Sequence, residues 1–125
     1  VMADEEQISQ VFVNIIRNAI QALSNSQISA AEGTKQSLIS PDIIVRLNST
    51  YSSKEIEISI SDNGPGIPAA IQSSIFRPNF TTKSNGNGLG LAISKRIVEG
   101  TGGRITFESS DKGTTFYVYL KKKAR

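Results

Sequence analysis

The chain has 125 residues, of which 38% are hydrophobic and 20% charged, values typical of a single globular domain. It contains neither cysteine nor histidine. This composition excludes a disulfide framework, a thiolate zinc site, and any histidine that could act as a base or accept a phosphoryl group. The net charge is +3, but four of the 14 basic residues lie in the segment 121–125, so the body of the chain is not a basic nucleic-acid-binding surface.

No apolar run approaches the roughly 18 residues that a membrane-spanning helix needs. The N-terminal segment does not resemble a secretory signal peptide. Together with the absence of cysteine, these features favour a cytoplasmic location. A membrane sensor attached upstream of Val1 is compatible with the same pattern.

The first half of the chain is predicted to contain a long helix, a loop and two strands. Residues 4–24 form the helix, because apolar side chains recur at helical spacing after a capping Asp4. Residues 25–42 are small and polar and include a glycine and a proline, which predicts a loop. Strands are expected over Ile43–Asn48 and over Glu55–Ser61, where isoleucine alternates with polar residues.

The second half is predicted to contain two helices and a terminal hairpin. A short helix is expected over Ala69–Ile75, and a polar, glycine-rich loop over Arg77–Gly88. The apolar positions of Leu89–Glu99 lie on one side of a second long helix. Arg104–Glu108 and Thr114–Leu120 are expected to pair as a hairpin.

The order of these elements predicts the fold class. One helix precedes two strands, and a helix and a hairpin follow, without regular alternation. This pattern favours a two-layer α/β (α+β) sandwich with helices packed on one face of a mixed β-sheet. We expect residues 1–125 to form one domain.

Asn14 and Asn18 are one helical turn apart, so they lie on the same side of the first helix. Asparagine is a poor helix former, and an amide oxygen that faces a cleft can bind a hard cation such as Mg²⁺. Two polar residues at the border of a core helix would produce the same pattern.

A glycine-rich run, Gly86, Gly88 and Gly90, leads into the second long helix. Glycine lets the backbone approach a ligand closely, and a helix start offers unpaired N–H groups at the positive end of its dipole. This combination suits a phosphate. A flexible loop that enters a helix is an equally good interpretation of this run alone.

Asp62 directly follows the predicted strand Glu55–Ser61 and is itself followed closely by Gly64 and Gly66. A carboxylate beside an open backbone could accept a hydrogen bond from an exocyclic amine such as that of adenine. An Asx-type turn explains the same residues without a ligand. Further along, Phe76 and Phe80 would hold the base of a polar loop from which Lys83 could reach a phosphate.

Taken together and in this order, the four segments resemble the ATP-binding catalytic domain of sensor histidine kinases, within the GHKL superfamily. NIIRNA is similar to the N box, DNGPGI to the G1 box, IFRPNFTTK to the F box and GNGLGLAISK to the G2 box. The resemblance covers roughly residues 4–120, and the FTTK segment is similar to that of the nitrogen-regulation type.

The resemblance implies a GHKL ATP-binding fold with ATP and Mg²⁺ as cofactors. It implies that Asn18 is a ligand of Mg²⁺, that Asn14 lines the same face and that Asp62 reads the adenine amine. The remaining positions that it assigns to nucleotide binding are Gly64, Gly66, Ile67, Phe80, Thr82, Lys83, Gly86, Gly88, Leu89, Gly90, Leu91 and Thr114. It implies no catalytic residue within this domain.

The implied function is transfer of the ATP γ-phosphoryl group to a histidine on a separate dimerisation domain, with a response regulator as the later partner. The chain would be a fragment of a larger two-component sensor kinase, unable to autophosphorylate without its acceptor domain. We expect the isolated chain to be a monomer that does not bind nucleic acid.

Two departures keep alternatives open. Gln21 and Ala22 stand where many such kinases carry a lysine and an aromatic residue, which is compatible with a degenerate nucleotide-binding docking module. GHKL ATPases resemble one another in a glutamate four residues before the Mg²⁺ asparagine, and this chain has Asn14 there. A serine kinase or an ATPase of the same superfamily is the other alternative.

Overall fold

The computed structural model describes residues 5–31, 42–49, 54–77 and 90–122. The chain forms α1 (Glu5–Ala31), β1 (Ile43–Ser49), β2 (Glu55–Asp62), a short 3₁₀ helix (Ala69–Ser74), α2 (Gly90–Gly100), β3 (Arg104–Ser110) and β4 (Gly113–Lys121). Each predicted helix and strand is present, and most of their ends differ from the predicted ones by only a few residues. Within these residues, no helix is long and apolar enough to cross a membrane.

The first helix is longer than predicted. It continues to Ala31, whereas the sequence analysis ended it at residue 24 and began a loop at residue 25. The segment 25–31 contains no glycine or proline, and its glutamine and alanines favour a helix, so nothing in it stops the helix. The rest of the predicted loop, up to residue 41, lies outside the described residues.

The four strands form one sheet in the order β1-β2-β4-β3, and the pairings β1–β2, β2–β4 and β3–β4 are all antiparallel. The sheet of the described residues is therefore antiparallel where the sequence analysis expected a mixed one. β2 and β3, which are joined across α2, do run in the same direction. They are not neighbours, because β4 inserts between them and pairs with both.

Both helices pack on one face of this sheet, which confirms the two-layer sandwich. α1 packs against β2 and α2, and α2 packs against β3 and β4. Alternate residues of β4 from Thr114 to Leu120 are buried, as expected when only one face of a sheet is covered. The buried hydrophobic cluster between the layers contains Val11, Ile15, Ile60, Ile75, Val98, Ile105, Phe116, Val118 and Leu120.

The antiparallel pairing brings three polar residues together at one end of the sheet. Asp62, at the end of β2, lies opposite Thr114 at the start of β4. Thr114 lies opposite Ser109 near the end of β3. Three residues that are distant in the sequence therefore form one row across the sheet, on the face that the helices cover.

Candidate functional site

The turn after β2 is closed by the carboxylate of Asp62. Its Oδ1 accepts a hydrogen bond from the backbone N–H of Gly64 at 2.9 Å. A Cβ atom added to Gly64 would lie 3.0 Å from this oxygen and 3.5 Å from the Cβ of Ala22 on α1. Glycine thus lets the turn pack directly against α1. Both interpretations of Asp62 are compatible with this geometry, since a carboxylate has a second oxygen that can accept from a ligand.

The next residues of the turn are seated on the end of β3. Gly66 has a φ angle of 82°, and a Cβ atom there would lie 1.9 Å from the carbonyl oxygen of Ser110. The N–H of Ile67 donates a hydrogen bond to Ser109 Oγ at 2.7 Å. The Ile67 carbonyl accepts one from Gln72 Nε2 at 2.9 Å. The backbone of this segment is therefore held from two sides by side chains.

Thr114 is buried and lies opposite Asp62 in the pairing of β2 with β4. Its Oγ1 lies 2.8 Å from Ser109 Oγ. The preceding Gly113 has a φ angle of 142°, and a Cβ atom there would lie 2.0 Å from the carbonyl oxygen of Asp62. Only a glycine lets β4 begin this close to the end of β2.

A second group of polar residues joins α1 to the first turn of α2. Asn14 Nδ2 donates to the carbonyl oxygen of Gly90 at 3.2 Å and to Ser94 Oγ at 3.3 Å. Ser94 is fully buried, and its Oγ donates to the same Gly90 carbonyl at 2.8 Å. Asn18 follows one turn later on the same side of α1, where it is half-buried. Leu91 is partly buried and packs against the core.

Of the predicted loop between the two groups, only the first residue, Arg77, lies within the described residues, and Phe76 stands just before it. The Phe76 ring packs edge-to-face on Phe107 and Phe116, with centroids 5.9 and 6.4 Å away. The ammonium of Lys95 lies 5.2 Å from the centre of the Phe76 ring. The predicted site residues Phe80, Thr82, Lys83, Gly86, Gly88 and Leu89 lie outside the described residues.

Three polar residues that hold this site were not predicted from the sequence: Gln72, Ser94 and Ser109. The position of Ser109 opposite Thr114 could have been obtained by pairing the terminal hairpin from its turn outwards. Ser94 and Gln72 donate to backbone carbonyls only four and five residues earlier in the chain. The Ser94 bond is a common local pattern of serine in a helix, so this contact could have been anticipated from the sequence.

Replacing Asn14 by aspartate is expected to destabilise the fold by about 1–3 kcal/mol, because a carboxylate cannot donate to Gly90 and would face its carbonyl oxygen instead. The free energy of unfolding in urea measures this loss. Gln10→Glu is the matched control, since it adds a negative charge to the same helix at an exposed position. Equal stabilities of the two variants would contradict the donor role of Asn14.

The two groups of polar residues, one at the Asp62 turn and one between α1 and α2, indicate which ligand the site can bind. α1 contacts both: Ala22 lies beside the Asp62 turn and Asn14 beside the start of α2. Asn14 and Ala22 are eight positions apart on α1, which corresponds to a rise of about 12 Å along the helix axis. One end offers a carboxylate to a hydrogen-bond donor, and the other offers a helix start and amides to an anion. These donors and acceptors fit an extended ligand with an amine at one end and phosphate at the other, as in an adenine nucleotide.

Comparison with known proteins agrees with this chemistry. Residues 3–124 match the family model described as "Histidine kinase-, DNA gyrase B-, and HSP90-like ATPase". The sensory histidine kinase/phosphatase NtrB of Rhizobium meliloti is 36% identical over 122 residues, which are 96% of this chain and 31% of that protein. The sensor histidine kinase ZraS of Escherichia coli is 36% identical over 121 residues, which are 96% of this chain and 23% of that protein.

Solved structures give the same result. The nucleotide-free catalytic domain of histidine kinase ThkA superimposes with a TM-score of 0.72 at 33% identity, covering 96% of this chain and 69% of that chain. The chain thus spans less than a third of each of the two curated relatives, but most of a catalytic domain. The chain therefore belongs to the family of histidine kinase-, DNA gyrase B- and HSP90-like ATPases, and is homologous to the ATPase domain of sensor histidine kinases.

Proposed function

We propose that this chain binds ATP with Mg²⁺ between the Asp62 turn and the start of α2, as the catalytic domain of a two-component sensor kinase. The observation that carries the proposal is that the Asp62 turn and the start of α2 both contact α1. The turn offers an acceptor to an amine, and the start of α2 offers backbone N–H groups to phosphate. In the parent kinase, the γ-phosphoryl group of the bound ATP would pass to a histidine of a separate domain.

Each end of the site would have its own task. Asp62 would accept a hydrogen bond from the adenine amine, while Gly64, Gly66, Ile67 and Thr114 shape the pocket around the base. At the other end, Gly90 and Leu91 would present backbone N–H groups at the start of α2 to the phosphates. Phe80, Thr82, Lys83, Gly86, Gly88 and Leu89, which lie outside the described residues, are proposed to bind the nucleotide as well.

Asn18 is proposed as the protein ligand of Mg²⁺. Its amide oxygen is a hard donor, and Mg²⁺ in proteins commonly keeps waters and ligand phosphates as its other partners. Bound there, the ion would neutralise phosphate charge, which is the main requirement of phosphoryl transfer besides positioning. Asn14, one turn earlier, would hold the start of α2 in place beside it.

One feature favours a kinase over an ATPase. The side chain at position 14 is an amide that donates to Gly90 and Ser94, so it cannot take a proton from an attacking water. Because the chain has no histidine, the phosphoacceptor histidine of such a kinase would have to be supplied by another domain. We infer that the chain works with such an acceptor domain and, later, with a response regulator. We also infer that the isolated chain is a cytoplasmic monomer and one domain of a longer kinase.

The nucleotide site is tested by calorimetric titration with ADP and a non-hydrolysable ATP analogue, with and without Mg²⁺. Asn18→Ala is expected to lower the affinity about tenfold when Mg²⁺ is present, and to leave it unchanged when Mg²⁺ is absent. Asn48→Ala, on the exposed edge strand β1, is the control and should bind like the wild type. A wild type that binds equally well with and without Mg²⁺ would contradict the role of Asn18.

Phosphoryl transfer is tested separately. Labelled ATP is incubated with the chain and a dimerisation domain that carries the phosphoacceptor histidine of a related kinase. Label on that domain, and none when its histidine is replaced, supports the kinase. Nucleotide binding without any transfer would favour the docking module, and transfer to a serine-containing partner instead would favour the serine kinase.

A further inference from the structure

Ser109 takes part in the hydrogen bonds that join the turn after β2 to the sheet. Its hydroxyl oxygen lies 2.7 Å from the backbone nitrogen of Ile67 and 2.8 Å from Thr114 Oγ1. Ile67 follows Gly66 in the turn, and Thr114 faces Asp62 across β2 and β4. One hydroxyl therefore links both parts of the proposed adenine pocket.

The direction of one of these hydrogen bonds follows from the available protons. The Ile67 N–H can only donate, so Ser109 Oγ accepts from it. The Ser109 proton has two acceptors in reach, Thr114 Oγ1 at 2.8 Å and the Gly113 carbonyl at 3.5 Å. The shorter distance is that of an ordinary O–H···O hydrogen bond, and the longer one is at the limit. Either hydroxyl can be the donor of the bond between Ser109 and Thr114; the arrangement developed below is the one in which Ser109 donates to its nearer acceptor, Thr114.

With Ser109 as the donor, the proton of Thr114 is oriented as well. When Thr114 Oγ1 accepts from Ser109, its own proton is directed away from Ser109. The residue opposite Thr114 on the other side is Asp62. The pocket would then present an acceptor from Asp62 beside a donor from Thr114, which would match the amine and the neighbouring ring nitrogen on the edge of adenine. A base with a carbonyl in place of the amine has the opposite pattern.

We propose that Ser109 is a positioning residue that sets the preference of the site for adenine, by holding the Ile67 backbone and orienting the Thr114 hydroxyl. This inference rests on the proposed nucleotide site, and it assigns to Ser109 a contribution to base selectivity rather than a contact with the ligand. Gln72, which binds the Ile67 carbonyl from the other side, keeps the turn attached when Ser109 is changed.

The first test needs no ligand. In Ser109→Ala, exchange of the Ile67 amide hydrogen, followed by nuclear magnetic resonance, is expected to be about three- to tenfold faster than in the wild type. Ser110→Ala is the matched control, because Ser110 is exposed and its hydroxyl accepts only from Lys112 N–H at 3.2 Å among the described residues. Unchanged exchange at Ile67 in Ser109→Ala would overturn the proposal.

The second test measures selectivity as the ratio of the affinities for ADP and for inosine diphosphate, with Mg²⁺. This ratio is expected to fall about three- to tenfold in Ser109→Ala. Ser109→Thr, which keeps a hydroxyl, should restore it, and Ser110→Ala should leave it unchanged. Ser109→Cys keeps the size of the side chain with a weak donor and acceptor, and serves if the alanine variant does not fold.

The outcomes separate the proposal from the function on which it rests. A wild type that binds no adenine nucleotide, or does not prefer it to the inosine form, overturns the proposed site itself and the inference with it. A wild type that prefers ADP, combined with an unchanged ratio in Ser109→Ala and Ser109→Cys, overturns the role of Ser109 alone. A lower ratio with rescue by threonine supports it, since a loss of overall stability would not change the ratio.

Discussion

Replacing Asp62 by asparagine is expected to lower the affinity for ADP by on the order of 100-fold while the fold is retained. In the native turn, Oδ1 accepts from the Gly64 N–H, and the second carboxylate oxygen can accept from the adenine amine. Asparagine has one oxygen and one NH₂ group. Whichever way the amide is turned, a donor then faces either the Gly64 N–H or the adenine amine. Calorimetric titration with ADP measures the loss.

The matched control is Asp111→Asn in the exposed turn between β3 and β4. It removes the same negative charge from the chain, so it reports any general electrostatic effect on the binding of an anion. Both variants should unfold at nearly the wild-type denaturant concentration. An Asp62→Asn variant that binds ADP as tightly as Asp111→Asn would exclude Asp62 as the residue that reads the base.

Replacing Gly66 by alanine is expected to destabilise the protein by about 2–5 kcal/mol. The residue has a φ angle of 82°, which is unfavourable for alanine, and the added Cβ would lie 1.9 Å from the Ser110 carbonyl oxygen. That oxygen belongs to the backbone of β3, so the turn itself must move. The displacement would also break the hydrogen bond between Ile67 and Ser109. Unfolding in urea measures the stability, and titration with ADP should show weaker binding.

Gly100→Ala provides the control for this variant. Gly100 ends α2, and an added Cβ there meets nothing within 4 Å. Alanine is also a better helix former than glycine, so its effect should be neutral or slightly stabilising. If Gly66→Ala were as stable as Gly100→Ala, the close approach of the turn to β3 would be wrong.

Local patterns predicted most of the fold and the family. Alternation of isoleucine with polar residues located β2, and helical spacing of apolar residues located α1 and α2. Four motifs in one order identified the family, and the family match confirms that identification. These predictions succeeded because each depends on residues near one another in the chain. The predicted end of α1 was wrong. The segment after residue 24 is polar but contains no glycine or proline, and the helix continues through it to Ala31.

Strand order and the hydrogen bonds of the site could not be predicted in the same way. The sequence alone determined which segments form helices and strands, though not where α1 ends, and which side chains could meet a nucleotide. Only the tertiary structure decided that β4 lies between β2 and β3, and so that Asp62, Thr114 and Ser109 stand in one row. It also decided that Asn14 donates to Gly90 and that Gly66 rests on β3. These contacts join residues far apart in the chain, so they depend on how the layers pack rather than on any local pattern.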